Sequence, residues 1–164
     1  MAAGATYTPI ATTTLSGVST YTFSSIASTY TDLVLIASGT ASNDNDWNIR
    51  VNGDTGSNYS STILTANGTA ASSLRTSSQA QAIADWNGFA GTSGVAVGVF
   101  NFMNYANTST YKTWLVRSNN AAYGTDAVVS LWRSTAAISS ITLFRATGTF
   151  NSGTTLTLYG IAAA

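Results

Sequence analysis

Trp47-Asn48-Ile49-Arg50-Val51-Asn52-Gly53-Asp54 is the stretch on which the fold turns. Trp47, Ile49 and Val51 alternate with Asn48, Arg50 and Asn52, the period-two pattern of a strand with one face buried. Asn-Gly then tolerates positive φ, and apolar alternation resumes at Tyr59–Leu64. The reading is strand, turn, strand, with the word Asn52–Tyr59 as a structural turn.

The same pattern recurs on both sides. Tyr21, Phe23 and Ser25 alternate within Thr20–Ile26, and Asp32–Ala37 is a compact apolar strand. Val95, Val97 and Val99 are expected to share one face, running into Phe100 and Phe102. Trp114 and Val116 oppose Leu115 and Arg117; Val129, Leu131 and Arg133 oppose Val128, Ser130 and Trp132. Ile141 with Leu143, and Leu156 with Leu158, complete the series. This predicts eight to ten strands in an all-β, single-domain β-sandwich of jelly-roll type. Ala-rich Ser77–Trp86 is the one stretch that could be helical. Residues 1–15 read as a small, neutral arm or first strand packing on a neighbour, and 16–164 as the sandwich.

Composition supports strands. Ser and Thr make up roughly 30% of the 164 residues, there is one Pro, and Glu is absent. Thr suits strands, while Ser, Asn and Gly suit turns. At 45% hydrophobic and 11% aromatic the chain can bury a core, unlike a disordered one.

Charge narrows function. Only 7% of residues are charged, six basic against six acidic, with no His and no Cys. Ser-His-Asp and Cys-His catalysis lack their base, and the commonest zinc, haem and iron–sulfur ligands are missing. Zero net charge with a single Lys argues against nucleic acid, which needs clustered cations. No apolar run reaches the ~20 residues of a membrane-spanning helix. Met1–Pro9 carries no basic residue ahead of an apolar stretch, so no signal peptide and no membrane partner are expected.

The local motifs are weighed against the background. Asp44-Asn45-Asp46-Trp47-Asn48 opens like a calcium loop, but Ile49 replaces the Gly and Thr55 the Glu. No cofactor is expected; calcium, at Asp54 or this loop, is the one ion left open. Ser109-Thr110-Tyr111-Lys112 fits Ser-x-x-Lys but enters a strand and lacks the partner motifs. The sequons at Asn58, Asn67 and Asn107 follow from composition. Asp44 with Asp46 or Asp54 would be a glycosidase's carboxylate pair, but these loops give no reason for a perturbed pKa, so no enzyme and no catalytic residue is expected. Trp86-Asn87 at a turn, with Asp54, is the candidate for stacking on a sugar. Arg117, Arg133 and Arg145, with few acids to pair with, are candidates for a subunit boundary, together with Tyr7 and Pro9 of the arm.

Longer words carry a resemblance. Tyr7-Thr8-Pro9-Ile10-Ala11-Thr12-Thr13-Thr14-Leu15 precedes Phe23-Ser24-Ser25-Ile26 and Tyr30-Thr31-Asp32-Leu33. Arg50–Ser60, Met103–Thr113, Leu131–Ile138 and Leu156–Ile161 follow in order. This succession resembles small virion proteins and fibre-end domains of tailed bacteriophages, particularly those of marine bacteria and cyanobacteria. The resemblance implies a jelly-roll sandwich, commonly a homotrimer, without enzymatic activity, assembled in the bacterial cytoplasm and resident on the virion. Two roles follow from it. One is a capsid decoration (cement) protein bound to the major capsid protein on the outside of the head; the absence of a fibre-like shaft favours it. The other is a tail appendage recognising host surface polysaccharide. A cellular carbohydrate-binding module would need a secretion signal.

Overall fold

The computed structural model describes residues 6–86, 91–92, 94–120 and 122–162. Among them are twelve strands: β1 Tyr7–Thr14, β2 Thr20–Phe23, β3 Asp32–Gly39, β4 Trp47–Val51, β5 Tyr59–Ala66, β6 Ala71–Gln79, β7 Ala82–Ile83, β8 Ala96–Phe102, β9 Lys112–Asn120, β10 Gly124–Trp132, β11 Ile141–Arg145 and β12 Thr155–Ile161. They form two antiparallel sheets, an eight-stranded one in the order β1-β12-β3-β8-β9-β10-β5-β6 and a four-stranded one in the order β2-β11-β4-β7. The protein is an all-β sandwich. From β1 to β5 the chain changes sheet at every connection, the crossing habit of sandwiches with Greek-key connections.

Aromatic side chains fill the space between the sheets. Trp47 of the small sheet meets Phe150 edge-on at 4.9 Å, and Trp114 of the large sheet packs on Phe102 at 5.3 Å and Tyr59 at 6.5 Å. Such edge-on and tilted pairs add about 0.5–1.5 kcal/mol each beyond the area they bury. Along β9 every second side chain, from Lys112 to Asn120, is buried. On the outside, Thr pairs such as Thr12–Thr157 and Thr22–Thr142 bond hydroxyl to hydroxyl across strands. That use of Thr lets a chain with few charges cover its surface.

Four expectations are corrected. Twelve strands replace eight to ten, because β1, β6 and β7 lack a strong apolar alternation. Ser77–Trp86 is not helical: it ends β6, with Ser78 (φ 55°) at a register shift inside that strand, and then forms β7. Its alanines are spaced for the small sheet: Ala82 faces Ile49, and the Ala84 amide bonds the Trp47 carbonyl at 2.9 Å. In β8 Val97 and Val99 do share a face, but it is the outward one: Ala96, Gly98, Phe100 and Phe102 form the core face instead, and Val95 is exposed. The two Phe side chains, the largest in the strand, decide the register. Finally, Asn52–Tyr59 is a turn, but β4 and β5 lie in opposite sheets. Asn52 and Gly53 have φ of 52° and 65°, and the Asp54 amide bonds the Val51 carbonyl at 3.0 Å. The turn carries the chain across the sandwich edge rather than closing a hairpin.

Residues 7–14 of the expected arm are an edge strand on β12 of the same chain; residues 1–5 lie outside the described ones. The register shift between Pro9 and Ala11 roughens this edge, where a Pro is tolerated.

Candidate functional site

The outer face of the eight-stranded sheet is built by the residues that alternate with the core. Register aligns them into rows. One runs Val34 (β3), Asn101 (β8), Leu115 (β9), Val129 (β10), Thr62 (β5), Arg75 (β6). The next runs Val99 (β8), Arg117 (β9), Ala127 (β10), Leu64 (β5), Ser73 (β6). Leu64 is 61% exposed, Val129 49% and Leu115 41%. Together with Thr62, Arg117 and Ala127 these residues line a shallow groove of about 270 Å³. Single exposed apolar residues are ordinary; here three adjoin across neighbouring strands, which makes this face the candidate contact surface. The signal was in the sequence: Trp114-Leu115-Val116, Val128-Val129 and Ile63-Leu64 are apolar on both faces of antiparallel strands, where one polar face is usual.

The expected interface residues separate. Arg117 is exposed in the groove, and no hydrogen bond or ion pair holds it among the described residues. Arg133 is half-buried and tied down, donating to the Ser60 hydroxyl, with its amide on the Asn58 carbonyl at 2.9 Å. Arg145, 3% exposed, is no surface residue. Its guanidinium donates to the Asn43 carbonyl at 2.7 Å, and burial lowers its pKa against the field of Asp85, Asp46 and Asp44. With few acids in the sequence, Arg145 still draws half of them, which only the folded loops arrange. Tyr7 is exposed on β1 with its ring edge-on to Tyr159 at 6.1 Å, and Pro9 is exposed two residues along.

The expected sugar-stacking group does not assemble. The Trp86 amide bonds Asp126 at 2.9 Å, while Asp54 accepts from Trp132 Nε1 at 2.6 Å. Asp126 and Trp132 are six residues apart on β10, about 20 Å at strand rise. Trp86 is 38% exposed; Asn87 lies outside the described residues. Asp54 instead braces its own turn, its other bonds coming from the Gly56 amide at 2.7 Å and Asn58 Nδ2 at 2.8 Å. Desolvation works to raise its pKa, but these three hydrogen bonds outweigh it and hold the carboxyl below its ordinary value.

The remaining motifs resolve locally. Lys112 is buried, donating to the carbonyls of Thr110 at 2.7 Å and Thr135 at 3.1 Å, while the Ser109 amide bonds Asn107 Oδ1 at 2.6 Å. The Asp44–Asp46 loop differs from its reading: Asp46 is half-buried, and desolvation, then the Asp126 charge, push its carboxyl up to about 6, against the pull of Arg145. Asp44 accepts from the Thr92 amide at 3.0 Å. Among the described residues no group of three or more carboxylates is placed to hold a metal ion.

No family model matches the chain, and no curated protein sequence matches it.

Proposed function

We propose that this chain is a non-enzymatic structural protein of a bacteriophage particle, a capsid decoration protein. In this reading it docks on the outside of the assembled head with the outer face of its eight-stranded sheet. The observation that carries it is the exposed group Leu64, Leu115 and Val129, brought together on neighbouring strands of one sheet face. Full burial of such a side chain contributes about 1.5–3 kcal/mol, so half-exposed ones retain about half of that for a partner. A protein that binds the assembled shell and not loose subunits stabilises the shell by mass action. The resemblance noted in the sequence supplies the particle, and a homotrimer would suit the local symmetry of a capsid lattice.

A second reading, a tail appendage binding host polysaccharide, is favoured by a different feature. The tips of the β5–β6 and β9–β10 hairpins enclose a cleft of about 590 Å³ lined by Asn67, Asn119, Asn120 and Tyr123. Amides beside an aromatic ring suit sugar hydroxyls and ring faces.

Quantitative mass spectrometry of purified virions, against the major capsid protein, separates the two. A ratio on the order of one to one, or one to a few, expresses lattice occupancy and supports decoration. A few to tens of copies per particle moves the appendage reading to first place. Absence from virions refutes both.

A further inference from the structure

Each of the six Asp side chains of this chain has a partner within it. Asp54 holds its turn, Asp32 accepts from the Asn104 amide at 2.6 Å, and Asp44 from the Thr92 amide. Asp85 and Asp126 are buried, and Asp46 lies in the field of Arg145. Four of the six cations are spent likewise. Lys112 and Arg145 are buried, and Arg133 is tied to Ser60. Arg50 donates to the Ala80 carbonyl at 3.0 Å and lies over the Phe144 ring at 4.4 Å. Arg75 and Arg117 are left, both exposed and without a hydrogen bond or ion pair among the described residues.

Both stand on the same face. Register places Leu115, Val129, Thr62 and Arg75 in one row, with Arg117, Ala127, Leu64 and Ser73 in the next. The two cations therefore occupy diagonal corners of a patch four strands wide, with Leu115, Val129, Ala127 and Leu64 between them. Strand spacing and rise put the two Cα positions about 15 Å apart. A chain with no net charge thus turns a cationic, apolar-centred surface outward.

We propose that this patch docks a protein surface with an apolar centre and two carboxylates spaced to meet Arg75 and Arg117. The proposal rests on the docking role given above to this face and adds the partner's chemistry. Charge complementarity selects the occupant. Among the described residues a second copy exposes one carboxylate, Asp44, where the patch calls for two about 15 Å apart. A lipid surface recruits clusters of four to eight cations, and nucleic acid needs several phosphate contacts; two arginines astride Leu and Val side chains meet neither requirement. An apolar centre flanked by Arg is what protein interfaces select.

The full chain is passed over mixed monolayers presenting methyl with carboxylate, methyl with trimethylammonium, or methyl alone, and over phosphatidylglycerol vesicles. Retention is expected on the methyl–carboxylate surface, falling severalfold at about 0.5 M salt as screening sets in. Arg117→Glu and Arg75→Glu should each weaken it by about tenfold or more, as should Leu115→Ser, while Thr147→Glu on an exposed loop changes little. Circular dichroism of each variant confirms that it folds. Equal retention on the ammonium surface, or no retention, overturns the proposal; stronger binding to the vesicles overturns it in favour of a membrane. Decoration-free heads then separate the two levels. Carboxylate-surface binding without head binding sinks the decoration reading and leaves the patch chemistry standing. Head binding unaffected by the two Arg→Glu changes does the reverse.

Discussion

Asp54→Asn removes one negative charge and almost no volume, yet it should be among the costlier single changes in this chain. Oδ1 of Asp54 accepts from the Gly56 amide, and Oδ2 accepts from both Asn58 Nδ2 and Trp132 Nε1. Asparagine can keep only one oxygen in place. If it stays on Gly56, the new NH₂ faces two donors, and the indole N–H of Trp132, a residue 3% exposed, loses its acceptor. An orphaned buried donor costs about 1–3 kcal/mol, and hydrogen bonds to a charged group contribute about 1.5–3 kcal/mol. The expected loss is about 2–4 kcal/mol, a drop in Tm of roughly 5–15 °C at this chain length. Urea unfolding followed by Trp fluorescence measures it, with Thr147→Ala on an exposed loop as comparison. The pH dependence gives a second reading. The folded-state pKa of Asp54 lies below its ordinary 3.8, so its contribution is fully present above that value and is lost as pH falls through the folded pKa. The difference between wild type and Asp54→Asn should therefore shrink in strong acid. A variant within about 0.5 kcal/mol of wild type at neutral pH, the range of an ordinary surface change, would refute the bracing role.

Asp46 should behave in the opposite sense. Its pKa is raised from 3.8 to about 6, so the charged form destabilises the fold above pH 6, and the penalty disappears as pH falls toward 4. Asp46→Asn should gain on the order of 1 kcal/mol at pH 7–8, solvent screening having reduced the full linkage, and nothing near pH 4; matched urea titrations at the two pH values decide it. Asn52 donates to the Ala137 carbonyl at 2.7 Å, accepts from the amides of Ser139 and Ser140, and holds φ of 52°. Asn52→Ala should cost about 2–3 kcal/mol, whereas Asn52→Gly recovers the backbone part; a smaller loss for Ala than for Gly counts against the turn analysis. At Gly124 a Cβ would lie 2.3 Å from the Ala66 carbonyl oxygen on the neighbouring strand. Gly124→Ala should cost about 1–3 kcal/mol as a packing clash, and unchanged thermal melting would show that β5 yields.

Period-two patterning was legible for most of the sandwich. Trp114, Val116, Ser130 and Trp132 on one face and Ile141 with Leu143 are buried as their alternation requires, because burial on one side is what writes that alternation. Asn52-Gly53 was legible as a turn for a similarly local reason, since few residues accept positive φ. Local pattern could not say which strands a turn joins, so β4 and β5 looked like a hairpin until the two sheets separated them. In β8 both faces carry apolar residues, and only packing against the opposite sheet chose the Phe face over the Val face. β6 has almost no apolar periodicity; its hydrogen bonds to β5 alone make it a strand.

The candidate site divides in the same way. Sequence by itself determined the class: no His or Cys, few charges, Thr-rich strands, hence an all-β chain held by packing. It also determined which strands have a second apolar face. Whether an arginine is spent or available depends on partners far apart in the chain. Arg145 looked like Arg117 in the sequence, yet loop closure buried it among aspartates from two segments. Arg75 and Arg117 are 42 residues apart, and only strand order and register set them at the corners of one apolar patch. Period and turn chemistry are nearest-neighbour properties that a sequence displays directly. Pairing across a sheet is a long-range choice made by the whole core, and it alone decides which surface the protein turns outward.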